Sequence, residues 1–207
     1  AVRPLSDMPC LLVLLLAFEA VHRWLTDDSA RRRTVFAGLA LAAFVAASGF
    51  RWAGLIAFGA TAAALPFVQG TRRQRLSRCL FFAVPWAIIS AGALLWLGRF
   101  PEADEAVRFA GQNADGLAGH AAEMLRHNAG ELPNYVGYLL LGQPARWYGG
   151  AIVIALLLAG GIAAWRRLPR WLIVWPVAFV LLMLPVAGLR PRYLLPMLPA
   201  TALSLGL

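Results

Sequence analysis

The sequence predicts an all-α fold, a polytopic membrane helical bundle with about seven transmembrane helices. Of its 207 residues, 60% are hydrophobic and 14% are charged, and the mean hydropathy of +0.67 lies above the range of soluble domains. The apolar residues are gathered in long blocks, and short arginine clusters separate those blocks. We therefore expect residues 1–207 to form a single transmembrane domain.

Apolar blocks follow one another along the whole chain. A helix needs about 20 residues, with a range of roughly 17 to 25, to cross the hydrocarbon core, and all blocks but the last are long enough or nearly so. Tryptophans at the block ends support the boundaries, because indole rings favour the membrane interface; only Trp86 and Trp175 lie well inside a block. The blocks are Met8–Leu25, Thr34–Phe50, Trp52–Val68, Cys79–Leu97, Tyr148–Trp165, Trp171–Gly188 and Tyr193–Leu207.

Charge and motif content argue against several other classes of protein. All 19 basic residues are arginines, and they lie between apolar blocks and not along one polar face, so we expect no nucleic-acid partner. No Walker A loop, HExxH or GxSxG motif is present. Cys10 and Cys79 lie at block edges without metal-ligand spacing, so both are interpreted as small buried hydrophobic residues. A signal peptide is disfavoured for the first block because Glu19, His22 and Arg23 follow its apolar core.

Arginine counts give the predicted orientation, since short cytoplasmic loops are enriched in Lys and Arg. The first, third and fifth connections carry arginine clusters and are expected inside. The second connection carries Arg51 alone, and the fourth, Gly98–Trp147, is rich in acidic residues, so both are expected outside. This alternation places Asp7, Arg51, Arg190 and Arg192 on one extracytoplasmic face. The inside clusters are Arg31–Arg33; Arg72, Arg73, Arg75 and Arg78; and Arg166, Arg167 and Arg170.

The fourth connection, residues 98–147, is predicted to be an extracytoplasmic loop that contains an interfacial helix. Connections of this length are usually functional or contain elements of their own. The stretch "ADGLAGHAAEMLRHNAG" is typical of a helix that begins at Asp115 and ends at Gly130. Its apolar side indicates that the helix lies on the membrane surface.

The other flank of this helix gathers His120, Glu123 and His127 in one stripe, because they are three and four residues apart. Imidazole and carboxylate groups suit zinc or manganese, so the stripe is a candidate divalent-metal site. A solvated polar flank is the alternative interpretation. No cofactor follows with certainty from the sequence.

Three stretches of the chain resemble the multi-pass glycosyltransferases of the GT-C type, in the group of protein mannosyltransferases and lipid A aminoarabinose transferases. They are "PLSDMPCLLVLLLAFEAVHRWL", "RRRTVFAGLALAAFVAASGFRWAGL" and "RPRYLLPMLPATAL". The shared features are an acidic residue that opens a helix, an arginine-flanked helical hairpin, a long outer loop and an Arg-Tyr plus proline pattern. The resemblance implies an enzyme that takes a sugar from a polyprenyl-phosphate carrier at the extracytoplasmic face and passes it to a lipid, glycan or protein acceptor.

The candidate site residues lie on that same face. Arg190, Arg192, Tyr193 and Arg51 are expected to bind the substrate, since arginine stays charged and can make two hydrogen bonds to a phosphate. The alternative is that the arginines snorkel and only fix the topology. Asp7 is a candidate catalytic residue on the acceptor or metal side of the site, and equally a helix N-cap.

The family pattern places a catalytic acid in the first extracytoplasmic loop, so we expect this chain to be an internal fragment whose main base lies upstream of Ala1. The implied mechanism is direct displacement at the anomeric carbon. The resemblance implies a multi-pass protein of the bacterial inner membrane. A transporter or flippase fragment for lipid-linked sugars remains an alternative, since it would also place arginines near lipid phosphates. A membrane scaffold is a third interpretation.

Overall fold

The computed structural model describes residues 7–50, 52–97, 116–141, 147–166 and 168–185. Within these ranges the chain forms α-helices joined by short connections, and it contains no β-strand, which confirms the predicted all-α class. A short 3-10 turn, Leu65–Phe67, follows the third helix. The helices are α1 (Asp7–Thr26), α2 (Ala30–Phe50), α3 (Trp52–Ala64), α4 (Arg72–Leu97), α5 (Gly116–Leu141), α6 (Trp147–Ala164) and α7 (Arg170–Met183).

Three of these helices, α1, α2 and α4, are long and apolar enough to cross a membrane. The apolar parts of α3, α6 and α7 are shorter, and α7 contains Pro176 and ends just before Pro185. The described residues therefore support three candidate spans and do not support all seven predicted ones. The last predicted block, Tyr193–Leu207, lies outside the described residues.

The outer surface of the bundle is apolar, as expected for a protein surrounded by lipid. Large hydrophobic side chains are exposed on several helices, among them Leu12 at 60%, Ile88 at 66% and Ile162 at 76%. Soluble monomers rarely expose contiguous apolar patches larger than a few hundred Å². This surface supports the assignment of the chain as a membrane protein.

Two helices begin earlier than their apolar blocks predicted. The helix α2 begins at Ala30, where the Ser29 amide donates to Asp27 Oδ1 at 2.8 Å. In α4, which begins at Arg72, a capping box joins Thr71 and Gln74: the Thr71 amide donates to Gln74 Oε1 at 3.0 Å and the Gln74 amide donates to Thr71 Oγ1 at 3.3 Å. Since arginine is a good helix former, the basic clusters Arg31–Arg33 and Arg72–Arg78 extend α2 and α4 and do not lie in loops.

The core is centred on α3, where residues 53–62 are all buried. It packs against α2, α4 and α7. The rings of Phe44 and Phe58 stack with centroids 5.2 Å apart, and Phe82 meets both rings edge-on. Cys10 is buried as predicted, but the prediction is wrong for Cys79, which is partly exposed because α4 presents most of its surface outward.

The two tryptophans that lie inside apolar blocks have hydrogen-bond acceptors for their indole N–H groups. Trp86 Nε1 donates to the Leu55 carbonyl at 2.9 Å. Trp175 Nε1 donates to Thr61 Oγ1 at 2.9 Å, and the Thr61 hydroxyl in turn donates to the Ala57 carbonyl at 2.9 Å. Since an unpaired polar group is costly in an apolar interior, these bonds allow both indoles to pack there.

The helix predicted to end at Gly130 continues to Leu141 as α5, so that predicted boundary is wrong. The segment beyond Gly130 packs against α6: the Trp147 indole donates to the Gly130 carbonyl at 3.1 Å, and Gly150 lies directly against the Pro133 carbonyl. A side chain at Gly150 would collide with that carbonyl, so the glycine permits the close crossing of the two helices. These tertiary contacts hold the second half of α5 in a helix despite Gly130 and Pro133.

Candidate functional site

Most of the predicted substrate site falls outside the part of the chain that the structure describes. Arg51, Arg190, Arg192 and Tyr193 lie outside the described residues. Asp7 is the first residue of α1, which agrees with its predicted place at the start of a helix, but its side chain is not among those described. The roles of these residues stay predictions.

The candidate metal stripe lies on α5. Glu123 and His127 are exposed and four residues apart in the helix, and His120 lies one turn earlier with a side chain that is not described. Among the described residues, no group of three His, Cys, Asp or Glu side chains is placed to hold a metal ion. The metal site therefore stays a prediction that depends on His120.

A groove of about 650 Å³ lies between α5, α6 and α7. The helix α6 packs on α5, and α7 packs on α3, which leaves a space between α6 and α7. Its lining is apolar except for one charged side chain, Arg166. The groove is lined by Leu132 and Val136 of α5; by Ile154, Leu157, Leu158, Gly161, Ile162, Ala163, Trp165 and Arg166 of α6 and the turn after it; and by Ile173, Pro176, Val177, Val180 and Leu181 of α7.

Contacts of α5 bound the groove at one end. Asn128 Nδ2 donates to the Leu184 carbonyl at 2.7 Å, and the Trp147 indole donates to the Gly130 carbonyl. These bonds place the middle of α5 against the start of α6 and the end of α7. Leu184 lies just past the end of α7.

The opposite end of the groove is aromatic and positively charged. Trp165 and Arg166 line it, and the guanidinium carbon of Arg170 lies 5.6 Å from the centre of the Trp165 ring. Gly161 and Ile173 bring α6 and α7 close together near this end, where a Cβ at Gly161 would lie 3.4 Å from Ile173 Cγ2. The groove thus combines apolar walls with a cationic mouth.

The arginines at this mouth differ from arginines near the start of the chain. Arg23 pairs with Glu19 at 2.6 Å, and Arg32 pairs with Asp27 at 3.3 Å. Within the described part of the chain, neither Arg166 nor Arg170 has a carboxylate at ion-pair distance. Both side chains are exposed, so their charges remain available to an external anion.

Several polar residues in the middle of α5 are buried or partly buried. Asn134 Nδ2 donates to Glu131 Oε2 at 2.8 Å, and Asn128 is buried. Burial raises the pKa of Tyr135 above its usual value, and the negative charge of Glu131 raises it by a smaller amount. Both effects favour the neutral phenol, which is the form that a tyrosine already has at neutral pH.

Sequence reasoning did not find the groove, although Gly161 of α6 and Pro176 of α7 line it. Small residues and prolines are common in membrane helices, so these positions alone would not have located a cavity. No protein-family model, no curated protein and no solved structure matches the chain. The interpretation of the groove and of the predicted site therefore depends on the residues of this chain alone.

Proposed function

We propose that the chain is part of a membrane glycosyltransferase that moves a sugar from a polyprenyl-phosphate carrier to an acceptor at the extracytoplasmic face. The observation that carries the proposal is the position of Asp7 as the first residue of α1, the first helix long enough to cross a membrane. The helices α2 and α3 follow as the arginine-flanked hairpin that the sequence pattern requires. This order of elements supports the family resemblance.

The proposed chemistry needs a carboxylate and cations at the membrane interface. A carboxylate activates the acceptor hydroxyl, and arginine side chains stabilise the negative charge that develops on the departing carrier phosphate. We assign the cationic role to Arg190, Arg192 and Arg51, with Tyr193 beside them. Asp7 is assigned to the acceptor side, and the stripe of His120, Glu123 and His127 remains a candidate for binding a divalent metal.

The proposal includes the membrane arrangement that this chemistry requires. The shorter apolar helices α3, α6 and α7 and the block Tyr193–Leu207 are proposed to lie in the membrane with the three long helices. The arginine clusters then face the cytoplasm, and the connection over residues 98–147 faces outward. We place the protein in the bacterial inner membrane.

The test is to express the chain together with any residues encoded before Ala1, and to measure sugar transfer in membranes that contain the resulting protein. Arg190→Ala and Arg192→Ala should each lower carrier affinity or rate by roughly 10-fold to 100-fold, because each loses a charge-assisted phosphate contact. The Lys variants should recover only part of the loss, since an ammonium group cannot reproduce the forked contact. Arg75→Ala, an exposed arginine of α4, is the matched control.

Each possible result bears on the proposal. Normal transfer by both alanine variants would show that these arginines only mark topology. Movement of lipid-linked sugar across the membrane without transfer to an acceptor would favour the transporter interpretation instead.

A further inference from the structure

The groove between α5, α6 and α7 has the shape and lining of a site for a hydrocarbon chain. The side chains of Leu158, Val177 and Leu181 line it and are 55%, 47% and 59% exposed, so the groove is open along its side and is not an enclosed cavity. The adjacent helix α7 has 14 residues and is therefore about 21 Å long, at about 1.5 Å per residue. A long flexible chain fits this form better than a compact ligand.

The apolar walls alone do not select one lipid over another. A lipid tail in the bilayer is already in apolar surroundings, so its transfer into the groove changes the free energy little. Selection must come from the headgroup, and the charge at the mouth of the groove is positive. Arg166 lines the mouth, Arg170 lies over Trp165 beside it, and neither has a carboxylate partner within the described ranges.

We propose that the groove binds an anionic membrane phospholipid, with one acyl chain between α6 and α7 and the phosphate at Arg166 and Arg170. Guanidinium groups can make paired hydrogen bonds to phosphate oxygens and remain charged at every physiological pH. Trp165 lies beside both arginines, and indole rings favour the membrane interface, where lipid headgroups lie. The binding of an anionic lipid does not depend on the glycosyltransferase function, but the choice of a phospholipid over the polyprenyl carrier rests on it.

A phospholipid is preferred to the polyprenyl carrier because of the direction of the groove. Arg166 and Arg170 lie at the joined end of α6 and α7, whereas Leu184 lies at the other end. Under the proposed function the carrier phosphate binds Arg190 on the extracytoplasmic face, whereas Arg166 and Arg170 belong to a cluster proposed to face the cytoplasm, so a carrier phosphate would lie on the opposite side of the membrane from Arg166. The charge at the joined end therefore favours a second lipid.

The experiment uses the full chain in nanodiscs made of phosphatidylcholine. Each sample contains a trace of one lipid probe, either phosphatidylglycerol or phosphatidylcholine, and each probe carries a photoactivatable group in its acyl chain. Cross-linked peptides are mapped by mass spectrometry, and labelling of the groove is divided by labelling around Ile88, a lipid-facing residue of α4. The phosphatidylglycerol probe should label the groove more strongly than the phosphatidylcholine probe. Arg166→Gln and Arg170→Gln should each lower this preference roughly fivefold, the effect of about one basic contact.

Matched variants separate the groove from the general surface. Arg73→Gln removes an exposed arginine outside the groove and should leave the preference unchanged. Val177→Trp fills the groove and should abolish its labelling, whereas Val45→Trp, at a residue with similar exposure on α2, should not. If Val177→Trp does not assemble, Leu158→Trp fills the same space from α6.

Several outcomes would overturn the proposal. Equal labelling by the two probes would mean that the groove is ordinary lipid-facing surface. Displacement of the label by polyprenyl phosphate, but not by unlabelled phosphatidylglycerol, would assign the groove to the carrier. A disulfide formed between cysteines placed at Leu181 and in the segment 193–207, together with absence of labelling, would show that the chain itself covers the groove.

Discussion

The hydrogen bond between Trp175 and Thr61 gives the sharpest test of the packing between α3 and α7. Both side chains have 0% exposure, and Trp175 Nε1 donates to Thr61 Oγ1 at 2.9 Å. Thr61→Val keeps nearly the same shape but removes the acceptor, and it leaves the indole N–H buried without a partner. We expect this substitution to lower the free energy of unfolding.

The expected magnitude follows from two general observations. An orphaned buried donor costs about 1 to 3 kcal/mol. Hydrogen bonds between membrane helices measured by double-mutant cycles average only about 0.6 kcal/mol, with a maximum of about 1.7 kcal/mol, because the unfolded chain also finds partners. The lower part of the first range therefore applies, and we expect Thr61→Val to cost about 1 to 2 kcal/mol.

Thr34→Val is the matched control for this substitution. The Thr34 hydroxyl donates to the Ala30 carbonyl at 3.1 Å, which is the same local bond that Thr61 makes to Ala57, but Thr34 is exposed. Its removal should change the free energy of unfolding by less than about 0.5 kcal/mol.

The assay is equilibrium unfolding in mixed micelles, followed by near-ultraviolet circular dichroism. A double-mutant cycle with Trp175→Phe isolates the bond, because the double variant contains no orphaned donor. Its loss of stability should be smaller than the sum of the single losses by about 0.6 to 1.7 kcal/mol. A Thr61→Val variant as stable as Thr34→Val, with additive double-mutant energies, would refute the reasoning.

Two further predictions concern helix crossing and topology. Gly150→Ala should destabilise the α5–α6 contact by about 1 to 3 kcal/mol, because its new methyl group collides with the Pro133 carbonyl. The control Gly92→Ala meets open space and should stabilise its helix by up to about 1 kcal/mol through higher helix propensity. Thermal unfolding of both variants in detergent is the measurement, and equal stabilities would contradict the close crossing of α5 and α6. After removal of Cys10 and Cys79, single cysteines near Asp115 and Arg146 should react with an impermeant thiol reagent added from outside, and cysteines near Arg32, Arg73 and Arg167 should not; the reverse pattern would overturn the proposed orientation.

The helical class and the approximate positions of the helices could be predicted from the sequence, because both follow from the apolar content of neighbouring residues. The blocks Met8–Leu25 and Tyr148–Trp165 agree with α1 and α6 to within one residue at each end. The block Cys79–Leu97 missed the first seven residues of α4, because hydropathy measures what enters the membrane and a helix can extend beyond it. Gly130 was misjudged as a stop because contacts with α6 outweigh its local preference.

The candidate site was predictable only as residue types. The spacing predicted that Glu123 and His127 lie on one helix, and the structure confirms that helix. The candidate metal site also needs the His120 side chain, and the described residues contain no group of three suitable ligands. The charged mouth of the groove shows the same limit. The sequence predicted only a topological role for Arg166 and Arg170, and their position beside Trp165 at the end of the groove is the basis of the proposed lipid site.

By itself, the sequence predicted an all-helical chain with segments apolar enough to cross a membrane, since apolar blocks and capping groups at helix starts act over a few residues. Only the tertiary structure decided which helices meet. The bond from Trp175 to Thr61 joins residues 114 positions apart, and that from Asn128 to Leu184 joins residues 56 apart. Such pairs depend on the fit of whole helix faces, and all these faces are apolar, so hydropathy cannot distinguish one partner from another. The groove exists because α6 packs on α5 while α7 packs on α3. These packing partners depend on the shape of the helix surfaces and not on their composition.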